Sequence, residues 1–216
     1  MKSNIYIGFD FSINKPACTI FWNNEFYFFF WPLHQLKKDV ELYEKYNVHI
    51  IDRNLKPITH GEYSSSELTE QHIYRAKALA DLIVKDIQEW ILHHNSENCD
   101  IYIASEGLSY GSAGDATLNL ATYKGILLVK LIENFKIKKL FTFSPISVKG
   151  VAGCATKEKR KDKLCMIKAF REDSINHPFK YNLGEFIKKK NYAQGVDDIV
   201  DSYFVLKKMM IELEDE

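Results

Sequence analysis

The sequence predicts an α/β fold, a mixed β-sheet with helices on its faces. Three observations carry that expectation. Strand-like segments follow one another closely at the N-terminal end, with an Asn-Asn turn between two of them. From about residue 67 onward, helix-like and strand-like segments alternate. The chain has 216 residues, enough for one such domain with a sizeable core. Antiparallel strands followed by alternating β and α give a sheet of mixed direction with helices packed against it.

The elements follow in order. NIYIGFD, residues 4 to 10, alternates like a strand and ends in Asp10. ACTIFW (17 to 22) and EFYFFFW (25 to 31) are aromatic and β-branched, and Asn23-Asn24 between them is a hairpin signal. Residues 32 to 66 read as an insertion or loop, with NVHIID (47 to 52) a candidate further strand. A helix is expected from about Glu67 to His94, with Ser66 as its N-cap. Ile73, Ala76, Ala80, Ile83, Ile87 and Ile91 recur there at helical spacing. IYIAS (101 to 105) is a short buried-type strand running into Glu106. A glycine-bearing loop then leads to a helix over 117–134. KLFTFS (139 to 144) is a strand stopped by Pro145. Residues 146 to 163 are rich in Gly and Lys and read as a mobile loop. Helices near 160–172 and over 197–213 complete the chain. The whole, 1–216, is expected to be a single domain.

Composition is that of a globular protein, 46% hydrophobic and 27% charged. No apolar run is long enough to span a bilayer, and the N-terminus lacks the features of a signal peptide. The expected setting is cytoplasmic. Cys18, Cys99, Cys154 and Cys165 have no C-x-x-C spacing and read as free thiols in a reducing compartment. Net charge is zero, but the charge is unevenly spread. Basic clusters occur at Lys136/Lys138/Lys139, at Lys157/Lys159/Arg160/Lys161/Lys163 and at Lys188/Lys189/Lys190. A neutral total can therefore hold a basic face.

The acidic residues carry the chemistry. Asp10 and Glu106 each close a predicted strand, and sites in α/β sheets gather outside the carboxyl ends of strands. In the last helix, Ile199, Tyr203, Leu206, Met210 and Leu213 form an apolar stripe. Asp198 and Asp201 lie off it, on a second column continued by Val205 and Met209. A column buried below should not end in two adjacent carboxylates without compensation. A divalent cation would supply it. Capping and the helix dipole are the other explanation. They account well for Asp197 and less well for Asp201, a full turn inside.

Four segments in order resemble the RuvC-type Holliday-junction resolvases of the RNase H-like superfamily, especially phage-encoded versions. They are IGFDFSINKPACTIF, IYIASEGLSYGSAGDATLNLATYKGIL, SPISVKGVAGCATKEKRKDKL and DDIVDSY, and they span residues 5 to 206. The resemblance implies an RNase H-like fold with a five-stranded mixed sheet whose first three strands are antiparallel. It implies a metal-dependent endonuclease that resolves four-way DNA junctions, with branched DNA as partner and a homodimer as the active form. Asp10, Glu106, Asp198 and Asp201 match the family's metal-binding carboxylates, with Asp197 a candidate replacement for Asp198. Two Mg²⁺ ions are implied, with Mn²⁺ able to substitute and no small-molecule cofactor. Lys149 and Lys157 match the family's basic positions. Lys159, Arg160 and Lys161 extend that basic segment, and Tyr110 lies in the loop expected to meet the junction. The sequence departs from the family in a shorter V-K to A-x-K spacing, in Ala152-Gly153-Cys154 where T-G-x-G is usual, and in Ser202 where Ala is usual. The alternatives are a related nuclease for flaps, forks or RNA–DNA hybrids, or a non-catalytic nucleic-acid-binding module. An actin-like ATPase needs a second domain copy and phosphate loops, for which the chain is too short.

Overall fold

A computed structural model describes residues 4–33, 39–51, 65–108, 114–159, 164–188 and 191–216. Its centre is a six-stranded sheet in the order β4-β3-β2-β1-β5-β6. The strands are β1 (Asn4–Asp10), β2 (Ala17–Trp22), β3 (Glu25–Phe30), β4 (Val48–Ile50), β5 (Asp100–Glu106) and β6 (Ile137–Phe143). β1, β2 and β3 are antiparallel neighbours, while β5 runs parallel to β1 and β6 parallel to β5. The chain thus adopts the expected α/β fold with a mixed sheet and flanking helices. The expected five strands become six, because β4 adds in parallel to β3 at the edge. The β2–β3 turn is made by Asn23 and Asn24, both at positive φ (49° and 64°), the conformation a two-residue hairpin requires.

Alternation along β1 sorts its side chains between two cores. Ile5, Ile7 and Phe9 pack with Ile101 and Ile103 of β5 under α2 (Ser65–His93) and α3 (Asp115–Asn134). Tyr6, Gly8 and Asp10 face the other way, with Tyr102, Ala104 and Glu106 of β5. That second face is covered by α7 (Val196–Glu214), with α4 (Pro145–Val151) and α5 (Cys165–Glu172) packed on α7. Ile73, expected on the buried stripe of α2, is 45% exposed, whereas Ala76, Ala80, Ile83, Ile87 and Ile91 are buried. The helix begins at Ser65, so Ser66 lies inside its first turn and is not the N-cap.

Two expectations for the middle of the chain are corrected. Residues 145 to 151 are not a loop but α4, with Ser144 as N-cap accepting from Ser147 N–H at 3.2 Å and Pro145 at N1. Proline ends the strand and starts the helix in one step, since its missing N–H costs nothing in a first turn. Cys154 and Cys165 form a disulfide, with Cα atoms 6.0 Å apart, where free thiols were expected. Spacing by itself did not show that the end of α4 and the start of α5 converge. Cys18 and Cys99 are free. The segment before α7 also carries α6 (Pro178–Tyr181), a 3₁₀ turn (Leu183–Phe186) and the short hairpin of β7 (Ile187–Lys188) and β8 (Asn191–Tyr192). Among the described residues, no helix is long and apolar enough to cross a membrane.

Candidate functional site: a carboxylate cluster under the last helix

Asp10 and Glu106 are the final residues of adjacent parallel strands, in a register that pairs Phe9 with Ser105. Neighbouring strands lie about 4.8 Å apart, so the two carboxylates leave the same face of the sheet side by side. Above them lies the start of α7, held close by a glycine. A Cβ on Gly8 would sit 2.5 Å from the Leu206 amide nitrogen and 2.6 Å from the Ser202 carbonyl oxygen. Only a residue without a side chain lets a helix backbone approach a strand that closely. Beside this contact, Thr19 Oγ1 and Ser202 Oγ share a buried hydrogen bond of 2.7 Å. Ser202 is therefore a tether between α7 and β2. Two residues beyond Gly8 comes Asp10, and one turn before Ser202 comes Asp198, with Asp201 adjacent.

The N-terminus of α7 is fixed separately. Its N-cap is Gly195, at φ 99°, and a Cβ there would meet the Phe30 ring at 2.5 Å. Tyr43 of α1 (Val40–Lys45), fully buried, donates to the Gln194 carbonyl at 2.7 Å. Part of the segment read as an insertion thus anchors the helix that carries the aspartates. Asp197 and Asp198 stand in the first turn of this helix, and no side chain caps it. Asp197 is exposed, whereas Asp198 and Asp201 are only partly so.

Burial and mutual repulsion act on the whole set. Asp10 is pushed well above the usual carboxylate range by burial and then by Asp201, Asp198, Glu106 and Asp197. Asp198 rises to about 8, first through burial and then through Asp197, with Lys15 partly opposing. Asp201 rises to about 7 through burial, Glu106 and Asp197, opposed by Lys149. Glu106 is raised by burial and pulled back by Lys149 and Lys124. Asp198 Oδ2 is buried without a hydrogen-bond partner. Such an arrangement is costly unless something positive completes it.

Among the described residues, no three His, Cys, Asp or Glu side chains are gathered tightly enough to clasp an ion. The carboxylates are near enough to repel and stand apart. Their chemistry nonetheless fits a hard divalent cation: oxygen donors only, an orphaned carboxylate oxygen, and protonation favoured because positive charge is lacking.

Three lysines border the cluster, and sequence reading singled out one. Lys149, in the last turn of α4, faces Glu106 and Asp201 and is partly exposed. Lys15, in the β1–β2 loop, faces Asp198; its backbone N–H donates to Ser12 Oγ at 2.8 Å, which holds that loop. Lys124 of α3 is 8% exposed, and its Nζ donates to the Glu106 backbone carbonyl. Burial lowers its pKa, while Glu106 and Asp10 oppose that shift. The available signal for Lys124 was its place between Leu120, Leu127 and Leu131 on the apolar stripe of α3, since buried lysines are rare unless paired.

Of the expected nucleic-acid contacts, Lys157 and Lys159 are exposed beyond α4, and Lys159 Nζ donates to the Gly153 carbonyl at 3.0 Å. Tyr110, Arg160 and Lys161 lie outside the described residues. The Lys136–Lys139 cluster falls at the opposite end of the sheet, because Ile137 pairs with Ile101 and Phe143 with Glu106. There Lys139 pairs with Glu216.

No protein-family model matches the sequence, and no curated protein matches it. Solved structures are similar to it, and two of them follow. A Thermus thermophilus RuvC structure is 14% identical, with 93% of each chain covered and a TM-score of 0.40. T. thermophilus RuvC in complex with Holliday junction substrate is 13% identical, with 93% of each chain covered and a TM-score of 0.39. Residue roles do not transfer at this similarity.

Proposed function

We propose that this chain is a metal-dependent, structure-selective endodeoxyribonuclease that cuts four-way DNA junctions. The observation that carries the reading is that Asp10, Glu106, Asp198 and Asp201 repel one another at one end of the sheet, from two strand ends and one helix, with their charge only partly offset by Lys15, Lys124 and Lys149. These four side chains would hold two Mg²⁺ or Mn²⁺ ions, which when bound supply charge to activate an attacking water and to stabilise the leaving oxygen of a phosphodiester.

The chain's own residues do the rest. Lys149, part-exposed beside Glu106 and Asp201, places a cation where an incoming phosphate meets the carboxylates. Lys124 cannot reach solvent freely; it fixes the end of β5 through the Glu106 carbonyl and offsets part of the charge on Asp10 and Glu106. Lys157 and Lys159, exposed in the segment closed by the Cys154–Cys165 disulfide, present positive charge to phosphate backbone. Binding through such contacts weakens steeply with salt.

The test is a panel of labelled four-way junctions, flaps, forks and RNA–DNA hybrids, with and without Mg²⁺, using the wild type and Asp10→Asn. Paired symmetric nicks in the junction, dependent on the ion and lost in the variant, are expected. Such pairing is also the signature of the proposed homodimer. If Asp10→Asn nicks at the wild-type rate, the metal-site assignment is wrong. Preferred cutting of a flap or hybrid moves the substrate but keeps the chemistry.

A further inference from the structure

The Cys154–Cys165 disulfide joins the end of α4 to the start of α5, between residues 11 positions apart in the chain. Its first half is placed by the way α4 stops. Gly153, at φ 66°, turns the backbone out of the helix, and the Cys154 N–H donates to the Lys149 carbonyl at 2.7 Å. A helix closing on a left-handed glycine makes this bond, and it leaves Cys154 buried at the helix end. The residue that accepts it is the lysine facing Glu106 and Asp201. Beyond Cys154 the chain turns back on itself. The Lys159 N–H donates to Thr156 Oγ1 at 3.3 Å, and Lys159 Nζ donates to the Gly153 carbonyl at 3.0 Å. The bridge therefore closes a segment that starts beside Lys149 and carries the exposed Lys157 and Lys159. Two features distinguish it from a structural staple. α4 and α5 each pack on α7, and Met166, Ile167 and Phe170 of α5 are buried in the same core, so their places do not rest on the covalent link alone. Cys154 is buried but Cys165 is partly exposed, so a dissolved thiol can reach one side of the bridge. Bridges that solvent reaches are the labile ones.

We propose that Cys154 and Cys165 are a reversible thiol–disulfide pair, and that closing the pair sets the basic segment for gripping DNA. Closing needs an oxidant, and a small-molecule disulfide such as glutathione disulfide is the class that fits. One S–S bond forms in the protein and one breaks in glutathione disulfide. Two electrons and two protons pass from the two cysteines to that disulfide, which leaves as two glutathione thiols. Opening runs the other way. A glutathione thiolate attacks Cys165 Sγ, Cys154 Sγ leaves as the thiolate and takes up a proton, and a second glutathione resolves the mixed disulfide. Once open, the segment loses its covalent closure, and Lys157 and Lys159 must be ordered as DNA binds instead of beforehand. The strand-end carboxylates and the contact of α7 with Gly8 do not involve the bridge. The inference rests on the nuclease reading and adds a redox control to it.

The test uses the full chain as wild type, as the double variant Cys154→Ser with Cys165→Ser, and as Cys99→Ser, the control that keeps the pair. Each is equilibrated in glutathione disulfide or in excess glutathione, and thermal unfolding checks that each form is folded. Alkylation followed by peptide mass spectrometry should find the Cys154–Cys165 bridge in the first buffer and two alkylated cysteines in the second. Junction affinity is measured in chelator so that nothing is cut. It should fall about tenfold when wild type and Cys99→Ser are reduced, the cost of ordering two long side chains during binding. The double variant should bind like reduced wild type in both buffers. Cleavage in Mg²⁺ at saturating junction should stay within a fewfold in either state, because the carboxylates keep their places. A pair that stays bridged in glutathione, or open in glutathione disulfide, overturns the proposal. So does an affinity that reduction leaves unchanged, since a bridge that moves only the melting temperature is a structural staple; the nuclease reading then stands. An equal response to redox buffer in the double variant also overturns it, and so does loss of cleavage at saturating junction on reduction, which would tie the bridge to the chemistry. If neither form of wild type binds or cuts a junction, the nuclease reading falls and the switch falls with it.

Discussion

At the carboxyl ends of β1 and β5, Asp10, Glu106, Asp198 and Asp201 are partly buried and near enough to repel. Near the β3–β4 edge, burial acts on two histidines, with a smaller push from a neighbouring ring: His94 on His49, and His49 on His177. In both places burial opposes the charged form, raising the carboxylates and lowering His177 to about 4 and His49 below its usual range. The surroundings differ. His177 Nδ1 accepts from Phe179 N–H at 3.2 Å, capping α6, and its ring meets the Phe28 ring edge-on at 4.7 Å. His94 Nδ1 lies 2.8 Å from the Trp90 carbonyl, and His49 stacks on Phe29 at 4.6 Å. The rings there pair with their neighbours and stabilise the fold. The carboxylates have no equivalent set of donors, and Asp198 Oδ2 has none. A group that is costly and still unsatisfied points to a ligand, whereas one that is costly but satisfied points to structure.

The largest effects should come from neutralising the unsatisfied end. Asp198→Asn and Asp201→Asn remove a donor and should lower junction cleavage by about 10³-fold, as expected when several kcal/mol of charge stabilisation is lost. In chelator at pH 8 the same variants should melt higher than wild type, because an uncompensated charge is gone. Loss of activity together with a fall in ion-free stability would break the contrast. At the other edge, His177→Ala should cost about 2 kcal/mol by urea unfolding, from the lost cap and ring contact, and leave the cleavage rate unchanged.

Stability against pH should separate the regions next. For Asp198 and Asp201 the folded pKa, about 8 and about 7, exceeds the usual 3.8. Their stabilising contribution is complete below the unfolded value and is lost as pH rises through the folded ones. For His177 the folded value, about 4, is below the usual 6.5. Its contribution is present above 6.5 and lost as pH falls toward 4. Thermal melts in chelator should therefore show an alkaline loss that Asp198→Asn reduces and Mg²⁺ or Mn²⁺ reverses at pH 8. An acid loss should shrink only in His177→Asn. Melts in which Mg²⁺ and Mn²⁺ leave the alkaline side unchanged would argue against a cation at the carboxylates.

The contrast also explains what the sequence could reveal. Strands with strict alternation, such as NIYIGFD, and helices with a clear stripe, such as the last one, were legible because one periodicity reports one buried face. Asp198 and Asp201 stood out as charges on a column that turns apolar. Lys124 was legible in principle, and Ser144-Pro145 was a helix start read only as a strand stop. Features made by two distant segments left no local mark. The Cys154–Cys165 bridge, the approach of α7 over Gly8, the anchoring of Gln194 by Tyr43 and the addition of β4 to β3 all depend on which segments meet.

The smallest effect concerns the seam that sets the carboxylates against the sheet. Thr19 and Ser202 are fully buried and bonded to each other, and Ser202 Oγ also reaches the Ile199 carbonyl at 2.8 Å. Ser202→Ala leaves the Thr19 hydroxyl buried without this partner and should cost about 1–2 kcal/mol. Thr19→Val should cost less, since Ser202 keeps its backbone acceptor. The double variant should be more stable than the sum of the two predicts, because no buried hydroxyl then remains and the apolar replacements fill similar space. Cleavage should stay within a fewfold of wild type in all three, because Gly8 still sets the distance between α7 and β1. If Ser202→Ala alone removed cleavage while leaving the fold intact, the hydroxyl would belong to the chemistry, and the division between satisfied and unsatisfied groups would run one turn deeper into α7.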